Sequence, residues 1–290
     1  MEFWFVYWFM FPVCIAIASA AMFSGISGAA MLMPVFLIGF PLLGVPPLTT
    51  VAAVGMSLFL ETSGFGTGVY RYLRRGLVDT QTARRLALVT VPAAIVGSIA
   101  ARWVSSGALR VGYGLAMIAL AGLLFREPTA GHGAHLTGEE NPGEVVDLGD
   151  DGAGRDIVTA DGSRYRYRAA KLHGQLVLSG GGAVLAGLIS TGVGEATLPG
   201  LVRRSGFPLA VAAATSTVVV AATVTGAAMT HLGELAREGG FAAIPWNLLA
   251  WAVPGAIVGA LIGTHLQGRL PERASRLFFA TLFGLSAARS

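Results

Sequence analysis

The chain has 290 residues, of which 54% are hydrophobic and only 12% are charged, and its mean hydropathy is +0.66. Soluble domains carry about 25% charged residues, so this composition excludes an ordinary globular domain and favours a protein that crosses the membrane several times. The net charge of +4 could suggest a nucleic-acid partner. Basic residues in loops are typical of membrane proteins, however, and we expect no nucleic acid to bind.

Apolar segments follow one another in two sets of five. They are 3–24, 29–43, 48–70, 83–104 and 108–125, and then 172–191, 195–202, 208–232, 245–265 and 272–287. About 20 residues cross a bilayer, and 29–43 and 195–202 are too short or too interrupted by proline to do so. The sequence therefore predicts an all-α polytopic membrane protein with about eight full spans and two short broken segments.

The two sets resemble each other in sequence, which indicates an internal duplication. The matching stretches, in order, are 25–34 with 190–199, 51–68 with 211–228, and 91–101 with 253–263. We therefore divide the chain into a first transmembrane repeat (1–125), a polar loop (126–171) and a second transmembrane repeat (172–290).

The orientation of the repeats depends on whether the short segments cross the membrane or re-enter it. If they cross, each repeat has five segments and the repeats are inverted. Most of the basic residues then lie on the cytoplasmic side, leaving outside only Arg102, Arg110, Arg237 and Arg289. If they re-enter, each repeat has four spans and the charge asymmetry is weaker. The positive-inside rule favours the inverted arrangement, with both termini outside.

The polar loop contains the stretch GEVVDLGDDGAGRDIVTADGSRYRYR at 143–168. Short runs with Val and Ile alternate there with Asp-Gly turns, which predicts a small β-hairpin on the cytoplasmic side. A solvated tether without fixed structure is the alternative.

Glycines interrupt an apolar segment at GISGAAMLMP (25–34), and again at TGVGEATLP (191–199). A helix that starts inside the membrane leaves its first N–H groups without partners, and its dipole favours an anion there. Two such breaks in inverted repeats would face each other near the membrane midplane, as in secondary transporters with discontinuous helices. Close packing of helices through small residues is the alternative explanation.

These breaks resemble a known family. GISGAAMLMP is similar to the GxGGGxxxxP signature of the TauE/SafE sulfite-exporter family, also called toluene sulfonate uptake permeases. Gly25 and Pro34 match that pattern, whereas Ser27 and Ala29 replace glycines. GVGEATLP together with LAVAAATSTVVV resembles the second copy of the signature. The resemblance covers the membrane part and excludes 126–171.

The resemblance implies transport of small sulfur-containing anions such as sulfite, thiosulfate, sulfonates or sulfoacetate. By position it implies two half-sites. The first comprises Gly25, Ser27, Gly28 and Ala29, and the second comprises Ser190, Thr191, Gly192 and Gly194, with Pro34 and Pro199 marking the helix breaks. Hydroxyl donors suit the oxygens of an oxyanion. Thr215 and Ser216 lie in an apolar helix and could line the path, or bond back to the preceding helical turn.

Glu61 and Glu195 lie within apolar segments, where a carboxyl group is costly and usually functional. Glu195 begins the second half-helix, so in its ionised form it would repel an incoming anion. We expect it to be protonated when substrate binds, which would couple transport to protons; capping of the helix is the alternative. Glu61 could carry a proton too, or pair with a basic group.

The sequence thus favours a secondary anion transporter of the bacterial inner membrane, crossing it several times and coupled to protons. A passive channel for small polar solutes is the alternative. We expect neither an enzyme nor a cofactor or metal, because no suitable cluster of residues stands out. His173, His231 and His265 lie near segment ends and are interpreted as interface residues. The expected partners are a small anion, lipid and protons, and the chain could form a homodimer.

Overall fold

The computed structural model of the chain describes residues 2–24, 27–126, 155–160, 162, 164–167, 169 and 172–266. Its elements are α1 (Glu2–Phe5), α2 (Met10–Ser24), α3 (Gly28–Pro34), α4 (Phe40–Leu42), α5 (Thr50–Arg75), α6 (Thr80–Ala100), α7 (Ser106–Arg126), β1 (Arg155–Val158), β2 (Arg164–Tyr167), α8 (Leu172–Ile189), α9 (Val193–Arg203), α10 (Leu209–Gly239) and α11 (Trp246–Leu266). A π-helical turn, Val35–Gly39, joins α3 to α4, and a short 3-10 helix, Phe241–Ala243, precedes α11. The predicted segment 272–287 lies outside the described residues.

Four of the described helices are long and apolar enough to cross a bilayer: Thr80–Ala100, Leu172–Ile189, Ala210–Gly239 and Trp246–Gly263. Met10–Met22 and Gly28–Leu42 are apolar but shorter. Large apolar side chains, such as Val96 and Val177, are exposed on the outer surfaces of these helices. Such a surface needs an apolar environment, so the protein is a membrane protein.

Helices α2 and α3 form a fold-back rather than one continuous span. Phe40, at the end of this segment, contacts the rings of Tyr7 and Phe9 at centroid distances of 5.4 and 5.9 Å. Gly28, at its beginning, faces Ala21 near the end of α2. The chain therefore reverses direction between α2 and α3 and returns to the end of the bundle from which α2 started.

Helices α8 and α9 form a second fold-back. Gln175 on α8 lies against Gly200 on α9, and Gly182 faces Gly192 at the turn. Ser190 has a φ of 59° and Gly192 a φ of 125°, in the left-handed region that only glycine adopts without strain. These two residues reverse the chain.

The outer ends of the two fold-backs lie at opposite ends of the bundle. The outer end of the first lies where α5 begins, because α4 leads into α5. The outer end of the second lies where α6 begins. There α9 leads into α10, and Thr215 of α10 accepts a hydrogen bond from the amide of Asp79, just before α6. Helix α2 packs against α11, α8 against α6, and α5 against α10. The sequence alignment of the predicted repeats matches α2 with α8, α5 with α10 and α6 with α11, so the contact of α2 with α11 corresponds to that of α8 with α6.

The contact between α2 and α11 is a seam of small residues. A Cβ added to Gly255, Gly259 or Gly263 of α11 would lie 2.5 Å from a backbone carbonyl oxygen of α2. Ser19 of α2 donates a hydrogen bond to the carbonyl of Gly259 at 2.9 Å. Small residues at such a seam let two membrane helices approach closely.

We expect Gly259→Ala to destabilise the protein by about 1–3 kcal/mol, because the added methyl group collides with backbone atoms that cannot move independently. The matched control is Gly233→Ala on α10, where an added Cβ meets nothing within 4 Å. Thermal unfolding of the purified protein in detergent measures the difference. Equal melting temperatures for both variants would contradict the expected close approach.

Candidate anion-binding site

The first helix break is capped by a carboxyl group from another helix. Ser27 is the N-cap of α3, and its hydroxyl donates to Oε1 of Glu61 at 2.8 Å. The amide of Gly28 donates to the same oxygen at 2.9 Å. Glu61 lies near the middle of α5 and is only 4% exposed. Its carboxyl group therefore occupies the position at a helix N-terminus that an anion would take.

Pro34, at the other end of α3, leaves a backbone carbonyl without a hydrogen-bond donor. Pro34 has no N–H, so the carbonyl of Ala30 lacks its usual helical donor. The hydroxyl of Tyr113, from α7, donates to that carbonyl at 2.6 Å. Tyr113 thus holds the broken helix in place.

The second helix break carries its own carboxyl group. The amide of Gly192 donates to Oε2 of Glu195 at 3.0 Å, so this side chain caps the helix that contains it. Among the described residues, Oε1 of Glu195 and the hydroxyl oxygen of Ser190 are buried and have no hydrogen-bond partner. Buried polar atoms are normally paired, so these atoms mark a polar site that another group can complete.

A carboxyl group therefore lies at each break, although the two come from different positions in the repeats. The alignment of the repeats places Ala221 opposite Glu61 and Ala30 opposite Glu195. Helix α3 packs against α5, α9 against α10, and α5 against α10. The two breaks are therefore joined through α5 and α10, with one carboxyl group at each break.

A cavity of about 20 Å³ adjoins Glu61 and Gly28 and is lined by α2, α3, α5 and α11, with Cys14 and Ala256 among its walls. Such a volume holds about one water molecule. An oxyanion of sulfur, which has at least four non-hydrogen atoms, is larger than this cavity.

The structure places the remaining predicted residues as follows. Ala29 is buried in α3, Thr191 is buried at the second turn, Gly194 faces α10, and Pro199 lies inside α9. Gly25 lies outside the described residues. Thr215 and Ser216 are buried in α10, and the Thr215 hydroxyl accepts a hydrogen bond from the amide of Asp79 at 3.0 Å. The hydrogen bonds found in the described part of the chain do not join Thr215 or Ser216 to either break.

Three residues of interest were not predicted as such. Gln175 is fully buried and donates to the carbonyls of Ala196 and Thr197, both at 3.3 Å, within α9 shortly before Pro199. Its amide within an apolar segment was a detectable signal. Nothing in the sequence around Tyr113 indicated its role, apart from the carbonyl that Pro34 leaves without a donor.

The interpretation of His231 as an interface residue was wrong. Its side chain is 4% exposed, because α10 runs through the core, and its ring shares a hydrogen bond with the carbonyl of Gly187.

We expect Tyr113→Phe to destabilise the protein by about 1–3 kcal/mol, because a buried carbonyl would lose the phenol that approaches it. The matched control is Tyr70→Phe, which removes a hydroxyl from a residue that is 60% exposed. Thermal unfolding in detergent reports the difference. If both variants melt at the same temperature, Tyr113 does not secure α3.

Comparison with known proteins identifies the class. The profile of the sulfite exporter TauE/SafE family matches residues 10–290. The chain belongs to this family, which is a family of membrane exporters of sulfite and related anions and not a class of enzymes. No curated protein and no solved structure gives a significant match. Among the described residues, no group of three or more His, Cys, Asp or Glu could hold a metal ion.

Proposed function

We propose that this chain is a proton-coupled secondary transporter of small sulfur-containing anions, of the sulfite, thiosulfate, sulfonate or sulfoacetate class. It spans the bacterial inner membrane several times and works by alternating access to a site between its two broken helices. One observation carries the proposal: a carboxyl group accepts a hydrogen bond at the N-terminus of each half-helix. It belongs to Glu61 at α3 and to Glu195 at α9.

Each carboxylate acts as an internal anion that competes with the substrate. While it is ionised, it satisfies the helix N-terminus and repels a second anion. A proton neutralises it and weakens its hold on the amide. The substrate oxygens then accept hydrogen bonds from the amides of Gly28 and Gly192, and from the hydroxyls of Ser27, Ser190 and Thr191. Binding of the anion and of protons is thereby coupled.

Alternating access follows from an inverted relation between the repeats. The outer ends of the fold-backs lie at opposite ends of the bundle, and the helix pairings exchange between the repeats. Rocking of one repeat against the other would widen the route to one break while narrowing the route to the other. The cavity beside Glu61, which holds about one water molecule, is consistent with a closed route to this break.

The orientation of the bundle follows from its charges. One end of the bundle, at which α5 and α9 end and α6 begins, is rich in arginine. These residues are Arg71, Arg74, Arg75, Arg84, Arg85, Arg203 and Arg204. We assign this end to the cytoplasm by the positive-inside rule. The start of α2 then lies outside.

Transport in proteoliposomes tests the proposal. Purified protein is reconstituted, and the movement of sulfite, thiosulfate, sulfoacetate and sulfate is measured with and without a pH gradient. Accumulation against the anion gradient, only when a pH gradient is imposed, is the expected result. Equilibration without accumulation would indicate a passive channel instead.

We also propose that the chain forms a homodimer, and light scattering of the purified protein tests this.

A further inference from the structure

The β-hairpin formed by β1 and β2 docks onto the bundle at the end where α5 finishes and α6 begins, which we call the Asp79 end. The strands pair antiparallel, with Asp156 opposite Arg166. The amide of Ala160, in the hairpin turn, donates to the carbonyl of Arg75 at 3.0 Å. The hairpin is therefore attached to the backbone of the first repeat.

Asp79 is the centre of this attachment. Its carboxylate caps α6 through the amide of Thr82 at 3.0 Å, forms an ion pair with Arg155 of β1, and accepts a hydrogen bond from the hydroxyl of Tyr167 of β2 at 2.7 Å. Burial alone would raise the pKa of Asp79, but hydrogen bonds from Thr82 and Tyr167 and the charge of Arg155 lower it below its usual range. The carboxylate is thus ionised at neutral pH.

The hairpin also contacts the second repeat. The ring of Tyr167 packs on Phe207, between α9 and α10, with a centroid distance of 4.6 Å. Tyr167 and Phe207 belong to one buried apolar cluster with Val78 of the first repeat and Val211 of the second. The amide of Asp79 in turn donates to Thr215 of α10. One small element therefore joins the two repeats at one end.

We propose that the hairpin is a latch that holds the Asp79 end closed, and that separation of Arg155 and Tyr167 from Asp79 lets this end open. The proposal rests on the proposed function, because the repeats must move relative to each other during alternating access. An element fixed to both repeats opposes that movement at the end where it is fixed. The protein then rests with the Asp79 end closed until the latch is released.

Thiol labelling of the full-length chain in detergent tests the latch. The reporter is Ser205→Cys in a Cys14→Ala background, because Cys14 is the single cysteine and Ser205 is fully buried at the Asp79 end. A small charged methanethiosulfonate reagent is the probe. We expect Arg155→Gln to increase the labelling rate about tenfold, equivalent to ~1.4 kcal/mol. Arg166→Gln is the matched control, since the Arg166 side chain is 47% exposed and pairs with Asp156 of the same hairpin at 3.4 Å.

A second reporter separates opening from unfolding. Thr50→Cys places a thiol at the opposite end, at a position that is 1% exposed. Release of the latch should leave labelling there unchanged or slower, whereas unfolding would accelerate both. Tyr167→Phe, which removes a single hydroxyl, should give a smaller change in the same direction.

The latch is overturned if Arg155→Gln and Arg166→Gln label equally at position 205, or if Arg155→Gln accelerates labelling at both ends. Neither result depends on transport. Failure of the wild-type protein to move any tested anion would instead contradict the proposed function and leave the labelling result intact.

Discussion

Glu195→Gln is expected to lower the anion accumulation that a pH gradient supports. The glutamine keeps an oxygen that can accept the hydrogen bond from Gly192, which Glu195 now receives at 3.0 Å, so the helix stays capped. It cannot carry a titrating proton, and it no longer presents a negative charge to the substrate. If each of the two carboxyl groups carries one proton per anion, loss of the proton at Glu195 lowers the accumulation ratio about tenfold for each unit of pH difference, since one unit corresponds to ~1.36 kcal/mol.

The measurement is the accumulation ratio of sulfite in proteoliposomes at several imposed pH gradients. The variant should reach a ratio about tenfold below that of the wild type for each unit of pH difference. Glu234→Gln is the matched control, because Glu234 lies on α10 in a pair with Arg102. A Glu195→Gln protein that followed the pH gradient as steeply as the wild type would refute the role of Glu195 in coupling.

Glu61→Ala is expected to reduce the transport rate tenfold or more and to destabilise the protein. The alanine leaves the hydroxyl of Ser27 and the amide of Gly28 without the oxygen that now accepts from both. A buried donor without a partner costs about 1–3 kcal/mol of folding stability. The transport rate falls because the first break loses the group that closes it between transport cycles. Glu61→Gln should retain more stability, because one oxygen remains, but the same pH gradient should support less anion accumulation than in the wild type.

Initial transport rates and melting temperatures of both Glu61 variants give the comparison. Glu234→Ala serves as the control for loss of a carboxyl group, since exposed ion pairs contribute only about 0–1 kcal/mol. Wild-type rates in Glu61→Ala would show that the first break does not depend on this carboxyl group. A melting point as low in Glu61→Gln as in Glu61→Ala would show that the charge of Glu61, rather than its acceptor oxygen, stabilises α3.

The two glutamates illustrate how far the sequence could define the site. Their position within apolar segments marked both as functional candidates, because a carboxyl group is costly there. For Glu195, the capping contact joins residues three apart, so local pattern was enough to suggest it. For Glu61, the sequence offered a proton or a basic partner. The structure shows hydrogen bonds from Ser27 and Gly28, which are 34 and 33 residues away, and no local pattern predicts that pairing.

Thr215 shows the same limit of sequence-based prediction. Its hydroxyl lies in an apolar helix, which suggested that Thr215 lines the transport path. In the structure, its oxygen accepts from Asp79, 136 residues away in the chain. Which polar group meets a buried hydroxyl depends on which helices are neighbours, and that is set by packing rather than by periodicity.

The sequence by itself determined the membrane class, the family and the location of both helix breaks. Apolar segments, glycines and prolines determine the backbone conformation within a few residues, so membrane helices and their breaks can be predicted from the sequence alone. Only the tertiary structure decided that the short segments fold back beside α2 and α8, that Glu61 caps α3, and that the hairpin joins Asp79 to the second repeat. Each of these depends on contacts between residues distant in sequence, where burial and hydrogen bonding select a partner that the chain order does not specify.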